Sequence, residues 1–415
     1  MEIGRNLRVR TRSVPHIMLF DLYATGHHPQ YILNLVEYWA ERALDCRLTV
    51  VAPVGVRRAS ENLDRLFHQH RGDGLHFVPG RDHVPAPSST ASLIKTDLVH
   101  GRLLRQHLRM YRPSHATLMY FDHCQLSLAL GLRRLRGISL SGIYFRPSFH
   151  LDERPDDLRS RLSAFRKKTM LLQALRNPYL RQLFCLDPFA VPALEQMTRT
   201  VQAIHLPDGV RISAGAVKKS GLRAGRRKGR IVALLLGALD GRKGIYQVLR
   251  AAKRLEPEVQ RSLSFVFAGP VKAQDESVLT DAITEVCTDT EVAVHLDVRY
   301  VPDDEVQSLV ATSDVVLLPY QRDHVGSSNM LVRAALAGVP VLGTDHGLIG
   351  KLIRAHRLGV TVDSTDPDAV ASGLRRFIKS PEQTSFDPQT AADFGRSHSA
   401  ARMGQEFFSS VLGDL

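Results

Sequence analysis

SDVVLLPYQRDHVGSSNMLVRAALAGVPVLGTD, residues 313–345, passes from strand through polar loop, helix and tight turn to a second strand. Val315 to Leu318 is short, apolar and β-branched at Val315 and Val316, which suits a strand buried on both faces of a parallel sheet. Val339 to Leu342 repeats that character. Between them Gly326, Ser327, Ser328 and Asn329 open a helix expected to run to Ala337. Unpaired N–H groups and the positive end of the helix dipole then converge beside a strand's carboxyl end, where an anion belongs. The competing expectation is that Ser328 or Asn329 merely caps the helix. Gly338 suits a left-handed C-cap, and Pro340 prevents the helix from continuing.

The same alternation extends in both directions. Residues 16–206 offer HIMLFD, LTVVAP, LHFVP, TLMYFD, ISLSGIYF, LFCLD and AIHLP with amphipathic stretches between. From Arg230 the pattern restarts with RIVALLLG, SFVFAGP, VAVHLDV, DVVLLP, VPVLGTD and GVTV. Strands alternating with helices imply parallel α/β sheets. The join, ISAGAVKKSGLRAGRRKGR, is rich in glycine and charge and reads as an exposed linker. The expected organisation is a first Rossmann-like domain over 1–210, a basic linker over 211–229 and a second Rossmann-like domain over 230–395. A C-terminal helix over 396–415 is expected to cross back to the first domain. The fold class is two Rossmann-like doubly wound parallel-sheet domains facing each other across a cleft.

Bulk composition fits this reading, with 415 residues, 44% hydrophobic and 23% charged. No apolar run reaches the roughly 18 to 20 residues of a membrane span. The basic opening leads only into HIMLF before Asp21 interrupts it, so neither a signal peptide nor a transmembrane helix is expected. Cys46, Cys124, Cys185 and Cys287 are scattered without close pairs, which points to reduced thiols, a cytoplasmic location and no zinc site. The net charge of +13 is concentrated in 154–181, net +6, and 211–230, net +8. A general nucleic-acid coat is therefore not expected; a focal patch meeting anionic lipid or a phosphorylated substrate is. Over 154–175, Leu158, Leu162, Phe165 and Leu172 recur at near-helical spacing with Arg and Lys between. That pattern fits a basic helix on an anionic membrane, and equally a core stripe with solvated charges.

Three places could carry chemistry. Gly237 to Gly244, GALDGRKG, follows the strand RIVALLL and puts Arg242 and Lys243 at a strand's carboxyl end, where open α/β sheets bind ligands. With the loop ending at Asn329 it makes two anion sites on one sheet edge, enough for a diphosphate. In the first domain DLYATGHHPQ, residues 21–30, turns from strand to helix. There Gly26 permits close backbone approach, Pro29 suits the first helical turn, and His27 or His28 can reach the cleft. Arg146 and His123 follow two further strand ends. Either histidine type can instead be a packed or capping residue.

The second half resembles the nucleotide-binding half of GT-B glycosyltransferases of the family-4 type. Gly237 with Lys243-Gly244, Phe267 to Pro270, Ser313 to Tyr320 and Ala334 to Val341 match that family's motifs in order and spacing. Leu206 to Val210 resembles the family's P-N-G-V before the linker. The resemblance makes 1–210 the acceptor-side domain and 230–395 the nucleotide-sugar-binding domain. It implies transfer of a hexosyl unit from a nucleotide-diphosphate sugar to a glycan, lipid-linked or small-molecule acceptor. The donor is a co-substrate, and no cofactor or metal is expected. Arg242, Lys243, Gly326, Ser327, Ser328, Asn329 and Gly26 are the expected diphosphate contacts, and Arg299 and Tyr300 the nucleobase contacts. His27, His28, Arg146, His123 and Asp323 are the candidates for the reacting centre. Val325 and Arg333 stand where the family carries two glutamates, and Ala238 where it carries an arginine that Arg242 would replace. Retention is the implied outcome; inversion with His27 or His28 as general base is the alternative. A binding-only protein that holds the nucleotide sugar without turnover is the rival motivated by those two departures.

Overall fold

The computed structural model describes residues 14–24, 26–80, 90–130, 137–147, 149, 158–211, 229–322, 324 and 326–415. Among these residues thirteen strands form two sheets. The first holds β1 (His16–Phe20), β2 (Arg47–Ala52), β3 (Leu75–Pro79), β4 (His115–Leu118), β5 (Ser139–Tyr144), β6 (Leu180–Cys185) and β7 (Gln202–His205). The second holds β8 (Ile231–Leu236), β9 (Leu263–Ala268), β10 (Ala293–Asp297), β11 (Val315–Leu318), β12 (Val341–Thr344) and β13 (Gly359–Val362). Their orders are 3-2-1-4-5-6-7 and 10-9-8-11-12-13, and the strand pairings are parallel throughout.

Alternate residues of each central strand feed opposite faces, as the two-residue period of a strand requires. Ile17 and Leu19 enter one core of the first domain, Met18 and Phe20 the other. Val232, Leu234 and Leu236 face one core of the second domain, Ala233 and Leu235 the other. Strand order reverses direction between β1 and β4 and again between β8 and β11, which opens a crevice at the carboxyl ends of those strands in each sheet. One strand is shorter than its apolar run: β4 ends at Leu118, and Phe121–His123 forms a short helical turn that carries Asp122 and His123. The candidate linker lies almost wholly outside the described residues.

The chain crosses between domains twice, side by side. Val210 N–H donates to the His398 carbonyl (2.9 Å) and Ala400 N–H to the Val210 carbonyl (3.1 Å). The Ser399 hydroxyl then caps the helix Ala400–Gly413 by accepting from Arg402 N–H (3.2 Å). That helix buries Met403, Phe407, Phe408 and Val411 in the first domain's core, with Phe408 stacked on Tyr38. All four cysteines are unpaired. No helix among the described residues is long and apolar enough to cross a membrane.

Candidate functional site

β8 ends at Leu236, and the chain turns back on itself through Gly237, which has φ +104°. A side chain at that position would collide with the Lys243 ammonium, so glycine makes room for the cation. Asp240 caps the short turn Gly241–Lys243 through Lys243 N–H (3.2 Å). Lys243 Nζ donates to the Leu236 carbonyl (2.6 Å) and stands 5.8 Å from the Tyr320 ring centroid. Gly244, at φ +76°, lies so close to the Pro319 carbonyl that no Cβ fits. The turn after β8 is thereby locked against the loop after β11.

That second loop supplies two further residues, Tyr320 and His324. The His324 ring stacks on Tyr320 with centroids 4.0 Å apart. Burial first, then Arg242, Arg146 and Lys243, pushes His324 down to about 4, so it is neutral at pH 7 and accepts at Nδ1 from Arg242 Nη1 (3.2 Å). Arg242 also reaches Asp240 (3.4 Å). Ser328 occupies the N-cap position of the helix Asn329–Leu336, but its hydroxyl meets Tyr320 Oη (3.1 Å) and makes no cap bond. Capping by that side chain therefore does not use up the helix's first amides, and Gly326, Ser327 and Asn329 complete this half-buried loop. Gly338 closes the helix at φ +67°.

Arg333 is 4% exposed and pairs with Asp303 on the helix Asp303–Thr312. Asp323 and Val325 lie outside the described residues. At the end of β10, Arg299 is engaged by Asp297 (2.9 Å) and Glu305, which leaves the Tyr300 ring, 80% exposed, as the open surface there.

The first domain brings its candidates together at the ends of β1, β4 and β5. Gly26 has φ +69° and open space around it. His28 Nδ1–H donates to the buried Asp21 carboxylate (2.7 Å), which also accepts from Tyr23 N–H (3.0 Å). The His28 ring packs among Tyr23, Tyr120 and Phe145. The Tyr23 hydroxyl donates to Nδ1 of His123 (2.5 Å), a histidine pushed down to about 4, chiefly by burial. Asp122 holds the backbone at Phe145 (2.9 Å) and Arg146 (3.1 Å), and its carboxyl is pushed up to about 6 by burial. The Arg146 side chain is exposed.

His27 opens to solvent at the start of the helix His28–Glu41, yet its pKa is lowered. Desolvation is the main cause; His28, Lys243 and Arg146 add to it, and the buried Asp208 opposes it. Lys243 acts on His27 and Arg146 acts on His324, so each domain's site lies within electrostatic reach of the other's. Asp21, Tyr23, Tyr120, Asp122, Asp208, Tyr320 and His324 join the site without being among the residues that the sequence alone marks for it. Asp21 and Tyr320 stand at strand ends within stretches already singled out, and that was the available signal.

Two facing parallel-sheet domains with this site define a GT-B protein. Residues 222–393, which take in most of the second domain, match the model of glycosyl transferases group 1. A GDP-mannose-dependent alpha-(1-6)-phosphatidylinositol monomannoside mannosyltransferase of Mycolicibacterium smegmatis is 26% identical over 190 residues. The alignment takes in 43% of this chain and 48% of that protein, so it spans about half the relative's length. Among solved structures, sucrose-phosphate synthase from Thermosynechococcus elongatus superposes with a TM-score of 0.69 at 12% identity, covering 97% of this chain and all of the other. Anabaena HepE in complex with UDP and glucose gives 0.62 at 13% identity, covering 97% of this chain and 100% of the other.

Proposed function

We propose that this chain is a glycosyltransferase that moves a hexosyl unit from a nucleotide-diphosphate sugar to an acceptor hydroxyl. The observation that carries the reading is the meeting of two anion-binding devices on one sheet edge. Lys243 and Arg242 come from the turn after β8, and the helix Asn329–Leu336 presents its start from the loop after β11. Together they would neutralise the leaving diphosphate as its charge develops, the main electrostatic demand of glycosyl transfer. Fixed cations there make a divalent metal unnecessary, so chelator should leave turnover unchanged. The family match supports retention, with the leaving phosphate taking the acceptor's proton. A second route, inversion, is favoured by the Asp21–His28 pair, because a carboxylate on Nδ1 fixes the tautomer and leaves Nε2 to accept a proton.

The relative's name specifies GDP-mannose and the HepE complex holds UDP. The base is therefore tested directly, by thermal unfolding against UDP, GDP, ADP, CDP and dTDP. Ligand at about 100 times its dissociation constant adds roughly 2.7 kcal/mol to the native state. A shift with one nucleotide is expected, and turnover of the matching sugar nucleotide, with the product's anomeric configuration read by NMR, follows from it. No shift with any of the five sinks the reading, and a shift without sugar release from any matching donor leaves a binding-only protein.

We further propose peripheral contact with an anionic membrane, at the cytoplasmic face, through the helix Leu158–Leu175. Its C-terminal half is anchored by Leu171, Ala174 and Leu175, whereas Leu162 and Phe165 are 68% and 69% exposed. Arg161, Arg166, Lys167 and Lys168 are exposed on the same turns. Each cation near such a surface contributes about 1 kcal/mol, and the two apolar side chains add burial. Vesicles containing phosphatidylglycerol should retain the protein at low salt and release it at high salt. Equal recovery from neutral phosphatidylcholine vesicles would remove the proposal.

A further inference from the structure

A cavity of about 420 Å³ opens between the start of the helix Thr90–Tyr111, the turn Phe121–His123 and the helix Leu158–Leu175. Arg146, Arg166 and Lys167 are among its lining residues, and Leu93, Ile94 and Met170 provide apolar surface. Two carboxylates also border it, and both are occupied by backbone. Asp97 accepts from Ser127 N–H (2.8 Å) and Leu126 N–H (2.9 Å), and Asp122 from Phe145 and Arg146. Burial raises both. Neither Arg166 nor Lys167 forms an ion pair with another described residue. Even with both carboxylates ionised, three cations leave the pocket positive. Arg146 links it to the cleft, because its charge reaches His27 in the first domain and His324 in the second.

Apolar surface continues outside the mouth. Ile94 is 42% exposed and Leu98, one turn further along the same helix, 49%. Leu162 and Phe165 stand on the turn before Arg166 and are exposed as well. Large exposed aliphatic and aromatic side chains grouped around a cationic pocket mark a ligand that is anionic at one end and apolar along its length.

We infer that this pocket takes the phosphate-bearing end of an amphiphilic acceptor. The phosphate lies against Arg146, Arg166 and Lys167, and the apolar part runs over Ile94 and Met170 toward Leu98, Leu162 and Phe165. The word acceptor rests on the glycosyltransferase reading; the binding chemistry does not. An anion held by guanidinium and ammonium groups gains charge-assisted hydrogen bonds, and Arg can fork onto two of its oxygens.

The test is calorimetric titration of the full chain with decyl phosphate below its micelle concentration, beside inorganic phosphate and decyl maltoside. Decyl phosphate should bind, inorganic phosphate more weakly and decyl maltoside weakest. The double variant Arg166→Gln, Lys167→Gln should weaken decyl phosphate roughly ten- to a hundredfold. Its unfolding midpoint and its response to nucleoside diphosphates should stay unchanged. Decyl maltoside binding as tightly as decyl phosphate, or a double variant with unaltered affinity, overturns the anion site. Inorganic phosphate binding as tightly as decyl phosphate overturns the apolar half of the proposal and assigns the pocket to a water-soluble phosphate. If no nucleotide binds, the transfer reading falls while the decyl phosphate titration still decides the pocket.

Discussion

Lys243→Ala is expected to lower turnover about 10²- to 10³-fold, the loss seen when one preorganised donor to a developing anion is removed. Three features of the fold make this lysine more than a solvated surface charge. Its ammonium is fixed at 2.6 Å from the Leu236 carbonyl at the end of β8 and lies near the Tyr320 ring. Gly237 is the residue that leaves room for it. No carboxylate among the described residues pairs with it, so its charge is available to a ligand, whereas Arg242 is already shared with Asp240 and His324. Charge on the leaving diphosphate grows as the glycosidic bond breaks, so the loss should fall on kcat and kcat/KM together. The stabilisation conferred by the cognate nucleoside diphosphate should shrink in the same variant. Near-normal turnover would refute the assignment of the diphosphate to this turn.

The turn around Lys243 also shows how far the sequence carries. Parallel strands buried on both faces read as short apolar runs, so β8, β11 and β12 stand out in the chain, and Gly338 with Pro340 marks where the intervening helix must stop. Local rules suffice for such features because each depends on neighbours a few residues away. Pairings across the sheet edge obey no such rule. Tyr23 meets His123 a hundred residues on, Arg242 meets His324 eighty-two residues on, and Arg333 meets Asp303. These depend on strand order, which alternation alone leaves open. The helix Leu158–Leu175 is a third kind of case: its spacing fits a buried stripe or an exposed one equally, and only the packing of neighbouring helices decides that Leu171 is inside and Phe165 outside. Ser328 misleads in a similar way, since it holds the capping position while its hydroxyl is drawn to Tyr320.

Phe407→Ala is expected to destabilise the first domain by about 3–5 kcal/mol, the range for truncating a fully buried aromatic. Phe407 is 0% exposed, with its ring 5.2 Å from Phe184 and 5.0 Å from Phe408. It lies near the C-terminus of the sequence yet fills a core built from residues 17–206, because the chain returns at Ser399 beside the point where it left at Val210. The second domain has its own cores, in which the helix Ala400–Gly413 takes no part. Two domains with separate cores need not unfold together. Urea unfolding of the variant should therefore show the first-domain transition shifted and the second-domain transition, marked by its response to nucleoside diphosphate, in place. Loosening the helix also frees one of the two adjacent crossings that fix the cleft, so turnover should fall further than nucleotide affinity. Equal shifts of both transitions would mean that the domains unfold as one unit, and a loss below about 1 kcal/mol, small for any buried aromatic, would mean that the returning helix is not part of the first domain's core.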